Sequence, residues 1–312
     1  MKFLKKGLDF CKLFKPPRKF YPIIFFCTAF LFGISVRAED SKSSRPEFLR
    51  ITDNALQTAI YTLNNADSSI RIKLIGVIHV GDVQYYRNIQ ILTKDLDYLY
   101  YEGIRLNSPS PAKIPYLSSF QTETKEERGN RKGVKEIATF QNEFAKAFHF
   151  VEQSDYLKPQ KNWINADVTI SQFLEILKKS NLNLEILTKN LSVDAKTAFE
   201  EDSNEISSTM HEEDKDTVII KYKRKMAKYL VKSAEELCFD DGMKIPREAI
   251  IIERNKIALR FLMDKIHSPN PQELGLLYGA AHLPHFLEVL QKEHNFQLHS
   301  VEWLDAWSLK SP

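Results

Sequence analysis

Two histidines, His79 and His282, each stand three places after a glycine, in Gly76-Val77-Ile78-His79 and Gly279-Ala280-Ala281-His282, and each glycine closes an apolar run. A neutral imidazole presents one nitrogen lone pair, so it can ligate a metal ion or accept a proton. The surroundings favour both roles. A glycine near a strand end lets a ligand or another backbone come close, and the positive dipole at the start of a helix disfavours imidazolium. With 10 glycines and 8 histidines in 312 residues, chance supplies roughly a quarter of one such tetrapeptide. Two copies in matching contexts call for a structural reason.

A glutamate follows each histidine. Glu102 ends YLYYEGI, where a carboxylate interrupts an apolar strand. Glu302 has the matching place in HSVEWLDAW, but that stretch already alternates with polar residues, which makes Glu302 the second choice. Arg254 rises from the apolar stripe Ile250, Ile257 and Phe261 of a helical segment. A buried arginine needs a carboxylate or an anionic ligand. Asn255 directs its amide away from that stripe and is a weaker candidate. Asp167, in KNWINADVT, precedes a helix, where capping by it or by Thr169 is sufficient explanation. His149, His267, His285, His294 and His299 have no partner at informative spacing, and His211 lies in the acidic stretch 199–216.

The elements that must position these residues repeat. LQTAIYTLNNADSSIRIKLIGVIH predicts a hairpin entering a buried strand, with its turn over Asn64 to Ser69. From Asp82, an N-cap position, Tyr85, Ile89, Leu92 and Leu96 recur at helical spacing, and the strand LDYLYYEGI follows. The second copy runs from the strand LGLLYGAAH through the helix LPHFLEVLQKEH, with Pro284 in its first turn, to the strand QLHSVEWLDAW. Each copy is a βαβ unit, whose crossover sets both strand ends on one sheet edge. The expected fold is therefore α/β: duplicated βαβ half-sheets, about 48–107 and 272–307, form one mixed sheet. A large helical insertion, about 108–271, caps it. His79 and His282 would converge where open α/β sheets bind their ligands.

Residues 1–38 read as an export signal, with a basic start and the uncharged run Tyr21 to Val36. The segment is either cleaved before Glu39, after Val36-Arg37-Ala38, or kept as an anchor over 21–36. The remainder, 39–312, is one globular domain. The leader carries eight basic residues against Asp9, or +7 of a chain total of +3, leaving −4 for the rest. That balance removes the electrostatic basis for nucleic-acid binding. Cys11 and Cys27 lie in the leader, so a processed chain keeps only Cys238 and forms no internal disulfide.

IGVIHVGDVQYYRNI with LYYEGI, then WINADVT, IIERNKIA and LLYGAAHLPHFLEVL, resembles the TraB/TIKI superfamily, also called the TraB/GumN or pheromone-shutdown family, over about Ile70 to Trp307. The resemblance implies a duplicated α/β fold in which the two Gly-x-x-His motifs, a glutamate and an arginine line one site, here His79, His282, Glu102 and Arg254. Animal members of that family are divalent-metal peptidases. Its distant relatives include erythromycin-esterase-like hydrolases and a haem-binding lipoprotein.

The expectation is an exported, metal-dependent hydrolase acting on a peptide or a small ester or amide. His79, His282 and Glu102 would hold a divalent ion (manganese, cobalt or zinc), with Glu102 a ligand or the general base. Arg254 would stabilise an oxyanion or hold a substrate carboxylate. The rival expectation is a non-catalytic extracytoplasmic protein that binds a peptide or haem in the same cleft. No nucleic-acid partner is expected, and the membrane is met only through the N-terminal segment.

Overall fold

The computed structural model describes residues 45–105, 145–146, 148–182, 215–266 and 272–310. The leader and most of the acidic stretch lie outside the described residues, as do His211 and His267. Among the described residues, no helix is long and apolar enough to cross a membrane.

The protein is an α/β fold built on one mixed sheet. Strands β2 (Ala55–Asn64) and β3 (Ile70–Val77) form the expected hairpin, in register from Ile60↔Ile75 to Asn64↔Arg71. Ser68, at φ 56°, takes the left-handed position in its turn. Strand β3 then pairs in parallel with β8 (Gln272–Gly279) along its whole length, so that Val77 lies beside Gly279. Beyond β8 come β5 (Tyr98–Tyr101) and β7 (Trp163–Asn165), both parallel to it. On the other side β9 (Gln297–Ser308) runs antiparallel to β2, and the short β1 (Leu49–Ile51) pairs with the start of β2.

The two Gly-x-x-His units are therefore interleaved. The expected half-sheets do not stand side by side: β8, from the second unit, fills the gap between β3 and β5 of the first. The crossover from β3 to β5 passes β8, while that from β8 to β9 passes β3 and β2 in the opposite direction. Central parallel strands are covered on both faces, which is why Leu74, Ile75, Leu276 and Leu277 are all buried in unbroken apolar runs. Each such side chain contributes about 1.5–3 kcal/mol of burial.

The helices follow the sequence pattern with local differences. α1 (Val83–Leu92) buries Tyr85, Tyr86 and Ile89. Asp82 holds its N-cap position, but its carboxylate accepts from Ser308 N–H at 2.6 Å instead of capping α1, which ties the end of β9 to the start of the helix. The insertion is less purely helical than its spacing suggests. β4 (Val80–Gly81) pairs with β6 (Val151–Glu152), the short helix α2 (Gln153–Tyr156) follows, and β7 extends the main sheet. Helix α3 (Ile170–Lys179) starts at Thr169, which forms a capping box with Gln172. α4 (Lys215–Phe239), α5 (Lys244–Arg247), a π-helical turn (Glu248–Ile252) and α6 (Glu253–Ile266) complete the insertion. α7 (Leu283–His294) buries Leu283, Leu287 and Leu290 as the spacing predicts.

Candidate functional site

The parallel register of β3 and β8 sends the two histidine-bearing turns out of the same sheet edge, one strand apart. The two glycines that precede them serve different ends. A Cβ on Gly76 would meet the Ala59 carbonyl at 3.1 Å, Leu283 at 3.2 Å and Ala280 at 3.3 Å. Glycine there lets the segment around His282 pack directly on β3. Gly279 instead lends its backbone N–H, which donates to Glu102 Oε2 at 2.6 Å.

The turn carrying His79 is held at four of the five carbonyls from Gly76 to Val80. Tyr85 Oη donates to Gly76 O (3.1 Å) and Tyr86 Oη to Ile78 O (2.8 Å). Gln153 N–H donates to His79 O (2.7 Å) and Trp307 Nε1 to Val80 O (2.7 Å). Satisfying these exit carbonyls from side chains and α2 fixes the backbone where the sheet ladder has ended. The His79 Nε2 atom is buried with no hydrogen-bond partner, and Gln153 Oε1 is in the same state. Burial pushes the His79 imidazole below its ordinary pKa, against an upward pull from Glu102.

His282 is fully buried in the short 3-10 turn that follows β8, at the start of α7. Its ring lies against Tyr278, with centroids 5.3 Å apart, and is stacked with Phe286 at 6.3 Å. Its Nδ1 is 2.5 Å from Asn255 Oδ1. Its Nε2 is buried without a hydrogen-bond partner, 3.8 Å from Glu102 Oε1. Burial pushes this imidazole down to about 4, with Glu102 pulling upward. Both histidines are thus neutral near pH 7.

Glu102 follows the last residue of β5, and its backbone N–H extends the ladder to Leu277 O at 3.0 Å. Oε1 accepts from Arg254 Nη2 at 2.7 Å and Oε2 from Gly279 N–H. Arg254 is buried as its sequence environment implies, and its partners are carboxylates. It forks onto Asp167, with Nε to Oδ1 at 3.0 Å and Nη2 to Oδ2 at 2.5 Å. Asp167 also accepts from the N–H groups of Gly103 (3.0 Å) and Val168 (2.7 Å). Two carboxylates and one guanidinium thus occupy a space closed to solvent, with side-chain exposures of 6%, 0% and 1%.

The structure therefore brings His282, Glu102 and Arg254 together, with His79 in the adjoining turn under the electrostatic influence of Glu102 and Arg254. Glu302 is not among them: it lies exposed within β9, paired with Ile60. Asp167 is not a helix cap, since Thr169 takes that role. Asp167 belongs to the site, placed there two residues after the end of the short strand β7. Asn255 does not point away; it is as buried as Arg254. The π-helical turn before α6 shifts the helix phase, so the buried face runs through Ile251, Arg254, Asn255, Ala258 and Leu262. His285, which had no partner in the spacing, has its Nδ1 3.2 Å from Asn255 Nδ2.

Two of these donors stand near the spacing that one divalent cation would need. Two ligands about 2.1 Å from a tetrahedral ion stand about 3.4 Å apart, close to the 3.8 Å between His282 Nε2 and Glu102 Oε1. A carboxylate has four lone-pair positions and can serve several partners at once. The His79 ring, with the Gln153 side chain beside it, lies under the influence of the same glutamate. Among the described residues, no three His, Cys, Asp or Glu side chains are drawn together at full coordination spacing.

Fold and site together define an α/β protein with two buried imidazoles and an ion-paired carboxylate at the carboxyl edge of its parallel strands. No family model, no curated protein and no solved structure matches the chain.

Proposed function

We propose that this protein is a divalent-metal-dependent hydrolase, most specifically a peptidase of the TraB/TIKI type, exported by its N-terminal segment. One observation carries the reading. His79 and His282 each hold a buried Nε2 without a hydrogen-bond partner, and that of His282 faces Glu102 Oε1 across 3.8 Å. A bare imidazole nitrogen facing a carboxylate oxygen across that gap is stabilised by a cation between them.

His79, His282 and Glu102 are the residues that would hold the ion. When bound, a divalent ion supplies Lewis acidity and lowers the pKa of a water molecule towards neutrality. The chain provides the remainder. Glu102 is aimed by Arg254 Nη2 and Gly279 N–H, and it would serve either as a further ligand or as the general base that takes up a water proton. Asp167 clamps Arg254, and through Nη2 the guanidinium orients Glu102. The substrate class is a peptide or a small ester or amide.

The test is elemental analysis of the purified full chain, followed by cleavage of a peptide library with the metal removed and restored. Stoichiometric metal and cleavage that returns with it support the reading. Peptide capture that survives chelation without cleavage, or absorption in the haem region, would overturn it in favour of a binding protein.

A further inference from the structure

The Asn255 amide touches three groups, and together they fix its orientation. One amide atom lies 3.0 Å from the backbone carbonyl of His282, which can only accept. That atom is therefore the nitrogen, Nδ2. The other amide atom, Oδ1, then faces His282 Nδ1 at 2.5 Å, and an amide oxygen can only accept. The proton of the neutral imidazole must accordingly sit on Nδ1. Nδ2 also reaches His285 Nδ1 at 3.2 Å, which must accept and leaves the His285 proton on Nε2.

We propose that Asn255 is a positioning residue that holds His282 as the Nδ1–H tautomer, so that the Nε2 lone pair is presented to the space beside Glu102. The inference rests on the metal-site reading for its purpose, since a ligating imidazole needs that nitrogen bare. It does not rest on that reading for its truth. With the opposite tautomer, an Nε2–H would point into the space where no acceptor lies within hydrogen-bond reach, while Nδ1 would oppose the amide oxygen lone pair to lone pair.

Several observations converge on this role. Asn255 is completely buried, so water cannot substitute for its amide. The His282 ring packs against both Tyr278 and Phe286, which restrict its plane. The same amide grips both the side chain and the backbone carbonyl of one residue, a two-point hold that sets ring orientation as well as protonation. Arg254 and Asn255 are adjacent on α6. One helix turn therefore orients the carboxylate through Arg254 and the imidazole through Asn255.

The test uses the full chain, labelled with 15N-histidine and kept free of metal by a chelator, at neutral pH. Long-range proton–nitrogen correlation spectra should show His282 with a protonated Nδ1 and an unprotonated Nε2. Asn255→Asp, which keeps an acceptor opposite Nδ1, should preserve that signature. Asn255→Ala should convert His282 to a mixture of tautomers and weaken Zn2+ binding, probed with Zn2+ alone, by about 10–100-fold. Wild-type His282 protonated on Nε2 would overturn the proposal, even if Asn255→Ala fails to fold. So would Asn255→Ala with an unchanged tautomer. A correct tautomer in a chain that binds no Zn2+ would defeat the metal reading and leave the role of Asn255 standing.

Discussion

Glu102 Oε1 stands 3.8 Å from His282 Nε2, too far for a hydrogen bond and close enough for both atoms to ligate one ion. The glutamate is held in that position from behind, by a guanidinium and a backbone N–H, and not by the imidazole it faces. The gap between the two groups is thus set by the scaffold and independent of any attraction between them.

If these groups share an ion with His79, replacing either histidine removes a ligand. His79→Ala and His282→Ala should each weaken Zn2+ binding by more than about 100-fold and abolish turnover. Isothermal titration and a peptide cleavage assay check this, and hydrolysis retained in either variant refutes the mechanism.

The buried ion pair predicts a stability contrast. Arg254→Met leaves Asp167 and Glu102 without their shared partner and should cost about 3–5 kcal/mol in urea denaturation. Arg71 and Glu273 also approach to 2.6 Å, but at exposures of 45% and 41%. Arg71→Ala should cost less than about 1 kcal/mol. Equal losses at the two sites would show that Arg254 is not sealed from solvent.

The histidines predict how stability follows pH in the metal-free chain. In the unfolded chain His282 titrates near the ordinary value of 6.5, whereas burial pushes it down to about 4 in the fold. Between those values the unfolded state binds the extra proton, so stability falls as pH drops from about 6.5 to about 4 and levels below that. The loss from His282 is about 3 kcal/mol, and His79 shifts in the same direction. Denaturation midpoints measured across this range check the slope, and His282→Gln should reduce it.

Gly76 predicts a packing effect at a distance from its own histidine. Gly76→Val places methyl groups where the Ala59 carbonyl, Leu283 and Ala280 already stand, and should cost about 1–3 kcal/mol. Because Ala280 and Leu283 flank His282, the variant should also shift the His282 ring signals in NMR spectra more than those of His294. Unchanged His282 signals would mean that the crowding is relieved elsewhere.

The residues legible in the sequence were those marked by their immediate neighbours. Each histidine follows a glycine at a strand end, Glu102 breaks an apolar run, and Arg254 interrupts a helical stripe. What escaped depends on contacts remote in the chain. The partner of Arg254 is set by β7, a three-residue strand too short to show a period. Asn255 was misdirected because a π-helical turn changes the phase that an uninterrupted α-helix would keep. Glu302 matched in spacing alone, since β9 pairs with β2 and carries that residue mid-strand on the exposed side. Strand order was equally hidden, because a βαβ pattern fixes the direction of its two strands and leaves open what lies between them.

The position of β8 also bears on how the chain is made. It begins at Gln272, yet it separates β3 from β5, both of which are synthesised long before it. A nascent chain that has not yet reached β8 has an empty slot at the centre of its sheet, with two apolar strands facing the gap. The centre of the sheet can close only once β8 has been made, and until then the apolar edges of β3 and β5 remain open to chaperones.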